Sequence, residues 1–294
     1  MSARALAALT LVVLLAAGCE STGQGASHVL GAIGAATGLP GFSSAATMAQ
    51  TDVRGAFVDM DEPEEVELGR AIAAAVGARY PVLRDPALTR YVALVGNTVA
   101  AVSDRPDLRY YFAVLDSPDI NALAAPGGFV FVTTGALAAM KDEAALAGVL
   151  GHEVGHIALR HHGETIKAQK RKTLFRAVGQ EALSYAPGVG AFSGLIGLTA
   201  DAIAEQVILK GHSRAEEMES DRVGFQYAAR AGYDPAGLRE FLATLASRDD
   251  TGARKFFSTH PGTDERLQEQ AKLRKEWTGG GRREAARFIA AMGR

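Results

Sequence analysis

One cysteine, Cys19, stands in the whole 294-residue sequence. No intramolecular disulfide can form, and a structural zinc site of the cysteine-rich kind is excluded. Charge of one sign is missing too: 31 Lys and Arg stand against 33 Asp and Glu, a net charge of −2. Nucleic acid requires a concentrated basic surface, so that class of partner is set aside. A run long enough to span a bilayer is also absent near the start, where Ala5–Ala17 covers 13 residues with Thr10 inside it, against the ~20 that a membrane helix needs. No repeat of roughly 34 residues recurs, which excludes a helical-repeat array. What remains is a chain 48% hydrophobic and 22% charged, enough to bury a sizeable core as one large or two small domains.

The apolar run follows Arg4 and ends in Ala16, Ala17, Gly18 and Cys19. A basic residue, a short apolar stretch and small residues make a secretory signal. The ending resembles the lipobox of bacterial lipoproteins, with Leu15 one residue earlier than usual. Acylation gives the lone Cys19 a purpose that packing does not. Glu20 follows it, where an Asp would direct inner-membrane retention. Residues 1–18 are therefore expected to be a lipoprotein-type signal peptide, with the chain anchored at Cys19, in the periplasm and on the outer membrane.

Residues 19–61, rich in Gly, Ala, Ser and Thr, read as a flexible tether. Folded structure is expected to begin at DEPEEVELGR, where carboxylates suit the start of a helix, and Asp85-Pro86 opens a second helix. The segments LRYYFAVLD and NALAAPGGFVFVTTGAL supply a β element. Helices follow: one opened by Asp142 and Glu143 and closed by basic residues before Gly163, one begun by the capping box Ser213 to Glu216, and one begun by Asp234-Pro235. Ala186–Thr199 has the composition of a lid.

The chemistry concentrates in VLGHEVGHIALRHH. On a helix, His152 and His156 lie on one face about 6 Å apart, so both imidazoles reach one metal while Glu153 reaches the water beside it. The bland alternative, a buried core helix, leaves two histidines and a glutamate in need of partners. A catalytic site needs a third protein ligand. If the helix continues through Leu159, His162 lies about 280° round and about 15 Å along from His152, out of reach. His161 and His162 are then surface partners of the helix C-terminus. The segment SRAEEMESDRVG offers Glu217 and Asp221 on one face of another helix. Either this acidic cluster is a solvated face, or Glu217 binds zinc while Asp221 accepts the free N–H of a ligating histidine.

Together, NALAAPGGFVFVTTGAL, LGHEVGHIALRHH, SRAEEMESDRVG and THPGTDER resemble the zinc metallopeptidase family of the CAAX prenyl endopeptidase and HtpX type, in its soluble periplasmic branch with BepA and LoiP. Ser220 stands where that family usually has Ala. The resemblance implies an α+β, mostly α fold: a gluzincin-type zinc peptidase domain over residues 62–278, with a small β-sheet beside the active-site helix and a helical tail over residues 279–294. It implies one Zn2+ per chain on His152, His156 and Glu217, with Asp221 behind a ligating histidine and Glu153 as general base. THPGTDER contributes His260 and Arg266; His260 is an oxyanion donor, a fourth zinc ligand or a structural residue. Peptide would add as a strand beside Phe129–Thr133, using Phe129, Val130 and Phe131, with Asn121, Gly127 and Gly128 shaping the edge or serving only as turn residues. The expected partners are unfolded or misassembled envelope polypeptides. The rival reading is a zinc-stabilised periplasmic chaperone that does not cleave.

Overall fold

The first helix starts where the acidic cluster predicts. Asp61 caps α1 (Glu62–Arg79) in a reciprocal capping box with Glu64, and Asp85 caps α2 (Pro86–Ala100) by accepting from the Leu88 N–H. A computed structural model describes residues 60–163, 166–167, 211–248 and 250–293. Asp61–His162 and Ala200–Arg294 form one compact unit, and the account below concerns that unit. The signal peptide, Cys19, the tether before Met60 and the Ala186–Thr199 stretch lie outside the described residues.

Three strands follow α2: β1 (Tyr111–Leu115), β2 (Ala122–Ala125) and β3 (Phe129–Thr133), in the order β1-β3-β2. β1 runs parallel to β3, with Tyr111 opposite Phe129, and β2 runs antiparallel to it, with Ala122 opposite Val132. The β-branched and aromatic run of β3 is therefore the centre of the sheet. β2, ALAA, has little strand preference of its own; pairing with β3 makes it a strand. A 3-10 turn at Pro126–Gly128 joins β2 to β3.

Thr133 caps the short α3 (Thr134–Ala139) and Asp142 caps α4 (Glu143–Ala158). Every residue of α4 from Glu143 to Ile157 is buried, as expected of a helix apolar on all sides. Leu146, Leu150, Val154 and Ile157 join one core with Val92 and Val99 of α2, Val114, Val130 and Val132 of the sheet, and Leu238, Phe241 and Leu242. Each such side chain contributes about 1.5–3 kcal/mol on full burial.

Four further helices complete the scaffold behind α5 (Arg214–Arg230): α6 (Gly237–Ala246), α7 (Thr251–Thr259), α8 (Thr263–Glu276) and α9 (Ala285–Ala291). Asp234-Pro235 does not open α6 as expected; Asp234 accepts from the Ala236 N–H in a turn, and the helix starts at Gly237. The tail is bound into the domain. The Arg283 carbonyl accepts from the Glu143 and Ala144 N–H groups, which the first turn of α4 leaves unpaired. Arg287 pairs with the buried Glu143 carboxylate, which also accepts from Tyr91 Oη at 2.6 Å and Tyr233 Oη at 2.8 Å. No helix among the described residues is long and apolar enough to cross a membrane.

Candidate metal centre

Close packing of α4 on α5 brings the two halves of the site together. A Cβ on Gly224 would lie 2.8 Å from the His152 amide nitrogen, and one on Gly155 would lie 2.9 Å from Ser220 Oγ. Only residues without side chains allow this approach, and Ser220 seals it by donating to the His152 carbonyl at 3.0 Å. Glu217 and Asp221, one turn apart on α5, thereby face the histidines of α4.

His152 and His156 meet through their Nε2 atoms, 3.0 Å apart. Glu217 Oε2 lies 3.4 Å from His152 Nε2, and Oε1 lies 3.3 Å from His156 Nε2. Ligands spaced this way suit one tetrahedral ion, since bonds of about 2.1 Å put neighbouring donor atoms about 3.4 Å apart. The donor set, two imidazoles and a carboxylate with no solvent exposure on Glu217, fits zinc. His260 belongs to the same group of ligand atoms, all within 4.8 Å of one another. Its Nδ1 lies 3.2 Å from Glu217 Oε1, and its Nε2 lies 3.1 Å from the Ala122 carbonyl oxygen and 4.0 Å from Glu153 Oε1.

Behind these groups stand charged partners. Asp221 Oδ1 lies 2.8 Å from His152 Nδ1. Arg266, 1% exposed, makes two 2.7 Å contacts to Asp221 and one to Glu217 Oε2. Burial alone would raise the Glu217 carboxyl, but His260, His152 and Arg266 hold it well below the usual range. Burial works against a charged His152, yet the Glu217 and Asp221 carboxylates outweigh it and push the imidazole up to about 9. Burial drives His156 well down. Glu153 is raised, chiefly by burial, the direction that favours a carboxylate which exchanges protons near neutrality.

Read as a continuing helix, the segment after His156 carries His161 and His162 to the surface. The structure overturns this. α4 stops at Ala158, Leu159 is its C-cap, and Arg160 takes the left-handed conformation at φ 56°. The chain turns back and both histidines are buried. His161 Nδ1 lies 2.9 Å from His156 Nδ1, and burial takes His162 down to about 3. Sequence reasoning also missed His212, whose ring stacks on His156 with centroids 3.8 Å apart. Nothing in the spacing of His212 pointed to it. The position of Arg266 was legible, but its grip on two carboxylates was not.

The expected substrate strand requires correction. β3 is paired on both sides, so Phe129, Val130 and Phe131 have no free edge to offer. Gly127 and Gly128, at φ 71° and 98°, make the β2–β3 turn against Val66 and the Arg109 carbonyl. Among the described residues, the free edge beside α4 is β2. The Asn121 carbonyl accepts from the Thr133 N–H, and the Asn121 N–H donates to Thr133 Oγ1; in this register the main-chain groups of Ala122 and Ala124 turn away from the sheet. Asn121 stands at the head of that edge with its Oδ1 buried and without a hydrogen-bond partner among the described residues.

Residues 86–274, more than half of the chain, match peptidase family M48. The chain belongs to this family. It is 31% identical over 220 residues to the beta-barrel assembly-enhancing protease of Yersinia pestis, covering 73% of this chain and 44% of that protein. It is 35% identical over 157 residues to the metalloprotease YcaL of Escherichia coli (strain K12), covering 53% of this chain and 59% of the relative. The mitochondrial metalloendopeptidase OMA1 of Schizosaccharomyces pombe is 31% identical over 182 residues, covering 61% and 51%. The chain thus spans about half the length of these relatives. Membership of M48 agrees with the mostly helical domain, its small sheet and the H-E-x-x-H helix at its centre.

Proposed function

We propose that this M48 chain is a zinc-dependent endopeptidase of the bacterial cell envelope that cleaves unfolded or misassembled envelope proteins. The observation that carries the reading is the convergence of His152, His156 and Glu217 from two helices onto one point beside the buried Glu153. Zinc held there would supply Lewis-acid polarisation and a water nucleophile usable near neutral pH. Glu153 takes the proton of the attacking water and delivers it to the leaving amine. Asp221 orients His152, and Arg266 keeps both carboxylates ionised.

An extended peptide adds along β2 rather than β3, hydrogen-bonding to the outward groups of Ala122 and Ala124, with Asn121 at one end. Main-chain recognition suits unfolded chains of mixed sequence. His260 occupies the Ala122 carbonyl and sits among the metal ligands, so we assign it the role of a latch that holds the site latent until substrate displaces it. Acylation at Cys19 would tether the domain to the periplasmic face of the outer membrane; the name of the Yersinia pestis relative, a beta-barrel assembly-enhancing protease, supports a role in outer-membrane protein quality control.

The test compares wild type and Glu153→Gln for zinc content and cleavage of an unfolded model protein. Both are expected to bind one zinc, with turnover of the variant falling by about 10² to 10⁴. Equal cleavage by the two would overturn the reading. A second reading, a zinc-stabilised assembly factor that does not cleave, draws on the place of His260 as a fourth member of the ligand group. Zinc binding by both proteins with cleavage by neither, including after His260→Ala, would favour it.

A further inference from the structure

His161 plays no part in the ligand set and is not on the surface, yet it touches a ligand. Its side chain is 6% exposed, its Nδ1 faces His156 Nδ1 at 2.9 Å and its Nε2 faces Glu219 Oε2 at 3.3 Å. Both contacts depend on Arg160, whose left-handed backbone ends the helix and folds the chain under it. A residue other than Gly, Asn or Asp at positive φ is held there at a cost.

From these contacts we infer that His161 is a positioning residue that, backed by Glu219, fixes the tautomer of His156 and so aims its lone pair at the metal. The argument proceeds proton by proton. An ionised carboxylate only accepts, so the nitrogen facing Glu219 carries the hydrogen: His161 Nε2–H donates to Glu219. In the neutral ring the other nitrogen, Nδ1, is then an acceptor. With a metal at the point where His152 Nε2 and Glu217 converge, His156 Nε2 would turn its lone pair there instead of donating to Glu217 Oε1, 3.3 Å away, and the hydrogen of the ring, on Nδ1, donates to His161. Asp221 does the same for His152 by accepting from Nδ1–H. Each ligating imidazole therefore has its own anchor, one from α5 directly and one through a second histidine that α5 holds by Glu219. Metal-ligating histidines usually give their second N–H to a carboxylate, carbonyl or water; here an imidazole takes that place. The stacked ring of His212 covers the face of His156 and leaves its in-plane nitrogens to the metal and to His161.

This inference rests on the metal-centre reading, and the experiment separates the two. The full chain is prepared metal-free as wild type, His161→Asn and His161→Leu. Zinc affinity is measured by competition with a chelator of known strength, and the tautomer of His156 is read by nitrogen NMR of the zinc-loaded wild type. Asn places an acceptor oxygen where Nδ1 stood; Leu does not. Expected are the Nδ1–H tautomer in wild type, zinc affinity reduced roughly 10–100-fold in His161→Leu, and a much smaller loss in His161→Asn. The inference is overturned by an Nε2–H tautomer in wild type, by unchanged affinity in His161→Leu, or by equal losses in both variants, which would mark a packing role. Should His161→Leu fail to fold, Glu219→Ala decides, since its carboxylate is largely exposed: reduced zinc affinity supports the inference and unchanged affinity overturns it. Failure of the wild type to bind zinc would instead overturn the metal centre.

Discussion

Arg266 on α8 grips Asp221 on α5 through two contacts of 2.7 Å, with both side chains almost wholly shut off from solvent. The pair is not an isolated ornament of the interior, because the same guanidinium reaches Glu217. Two carboxylates of α5 meet on one cation from α8.

Arg266→Ala should therefore leave two buried carboxylates without their counter-ion. Removing one partner of a buried pair costs about 3–5 kcal/mol, a large share of a domain's stability. Chemical denaturation of the metal-free protein measures it. Arg266→Lys should recover little, since a point charge cannot repeat the two-pronged contact. Stability within about 0.5 kcal/mol of wild type would show that the cluster is dispensable.

Gly224→Ala tests the helix contact that builds the site. The added methyl would meet the His152 amide at 2.8 Å, and backbone on both sides cannot yield cheaply. Overpacking of this kind costs about 1–3 kcal/mol. Because the displaced helix carries Glu217, zinc affinity should fall together with the melting temperature. A fall in melting temperature alone would mean that α5 shifts without moving its ligand.

For His260 the latch reading makes a signed prediction. His260→Ala should raise cleavage of an unfolded substrate, on the order of tenfold if the latch is worth about 1.4 kcal/mol. A drop in rate at unchanged zinc content would assign His260 to stabilising the oxyanion instead.

Glu143 gives a pH dependence away from the metal. Burial alone would raise its carboxyl, but Arg287, Tyr91 and Tyr233 hold it below its ordinary value. A carboxyl depressed on folding contributes stability that is fully present above its unfolded pKa, about 4.3, and is lost as pH falls through its folded value. Glu143→Gln should cost roughly 1–3 kcal/mol at neutral pH, with the gap to wild type closing below about pH 4. A gap that stays constant into acid would mean that the charge of Glu143 is immaterial.

Much of the frame was legible because local chemistry decides it. Asp85, Asp142 and Ser213 cap the helices that the sequence assigns to them, since a cap is a bond between neighbours. The pairing of His152 with His156 follows from helix pitch alone. What escaped is non-local or runs against backbone preference. ALAA has no strand signal of its own, and whether FVFVT sits at the centre or the edge of a sheet is a property of its partners. The turn at Arg160 lacks the glycine that announces a left-handed residue, so the inward path of His161 and His162 could not be read. Helix α5 shows the division well: its acidic pattern offered Glu217 and Asp221, while the Arg266 that makes them tolerable in the interior comes from another helix 45 positions on.

The tail carries one more consequence. The carbonyl that completes the first turn of α4, and the two arginines that pair with Asp142 and Glu143, belong to a segment some 141 positions downstream. A nascent chain has its histidines and glutamates long before it has that clasp. Until the clasp arrives, the helix that would cut proteins is held together only by its own cap and its neighbours, so ripening of the scissors is timed to the completion of synthesis. A fragment clipped ahead of Arg283 would keep every ligand and lose the brace beneath them.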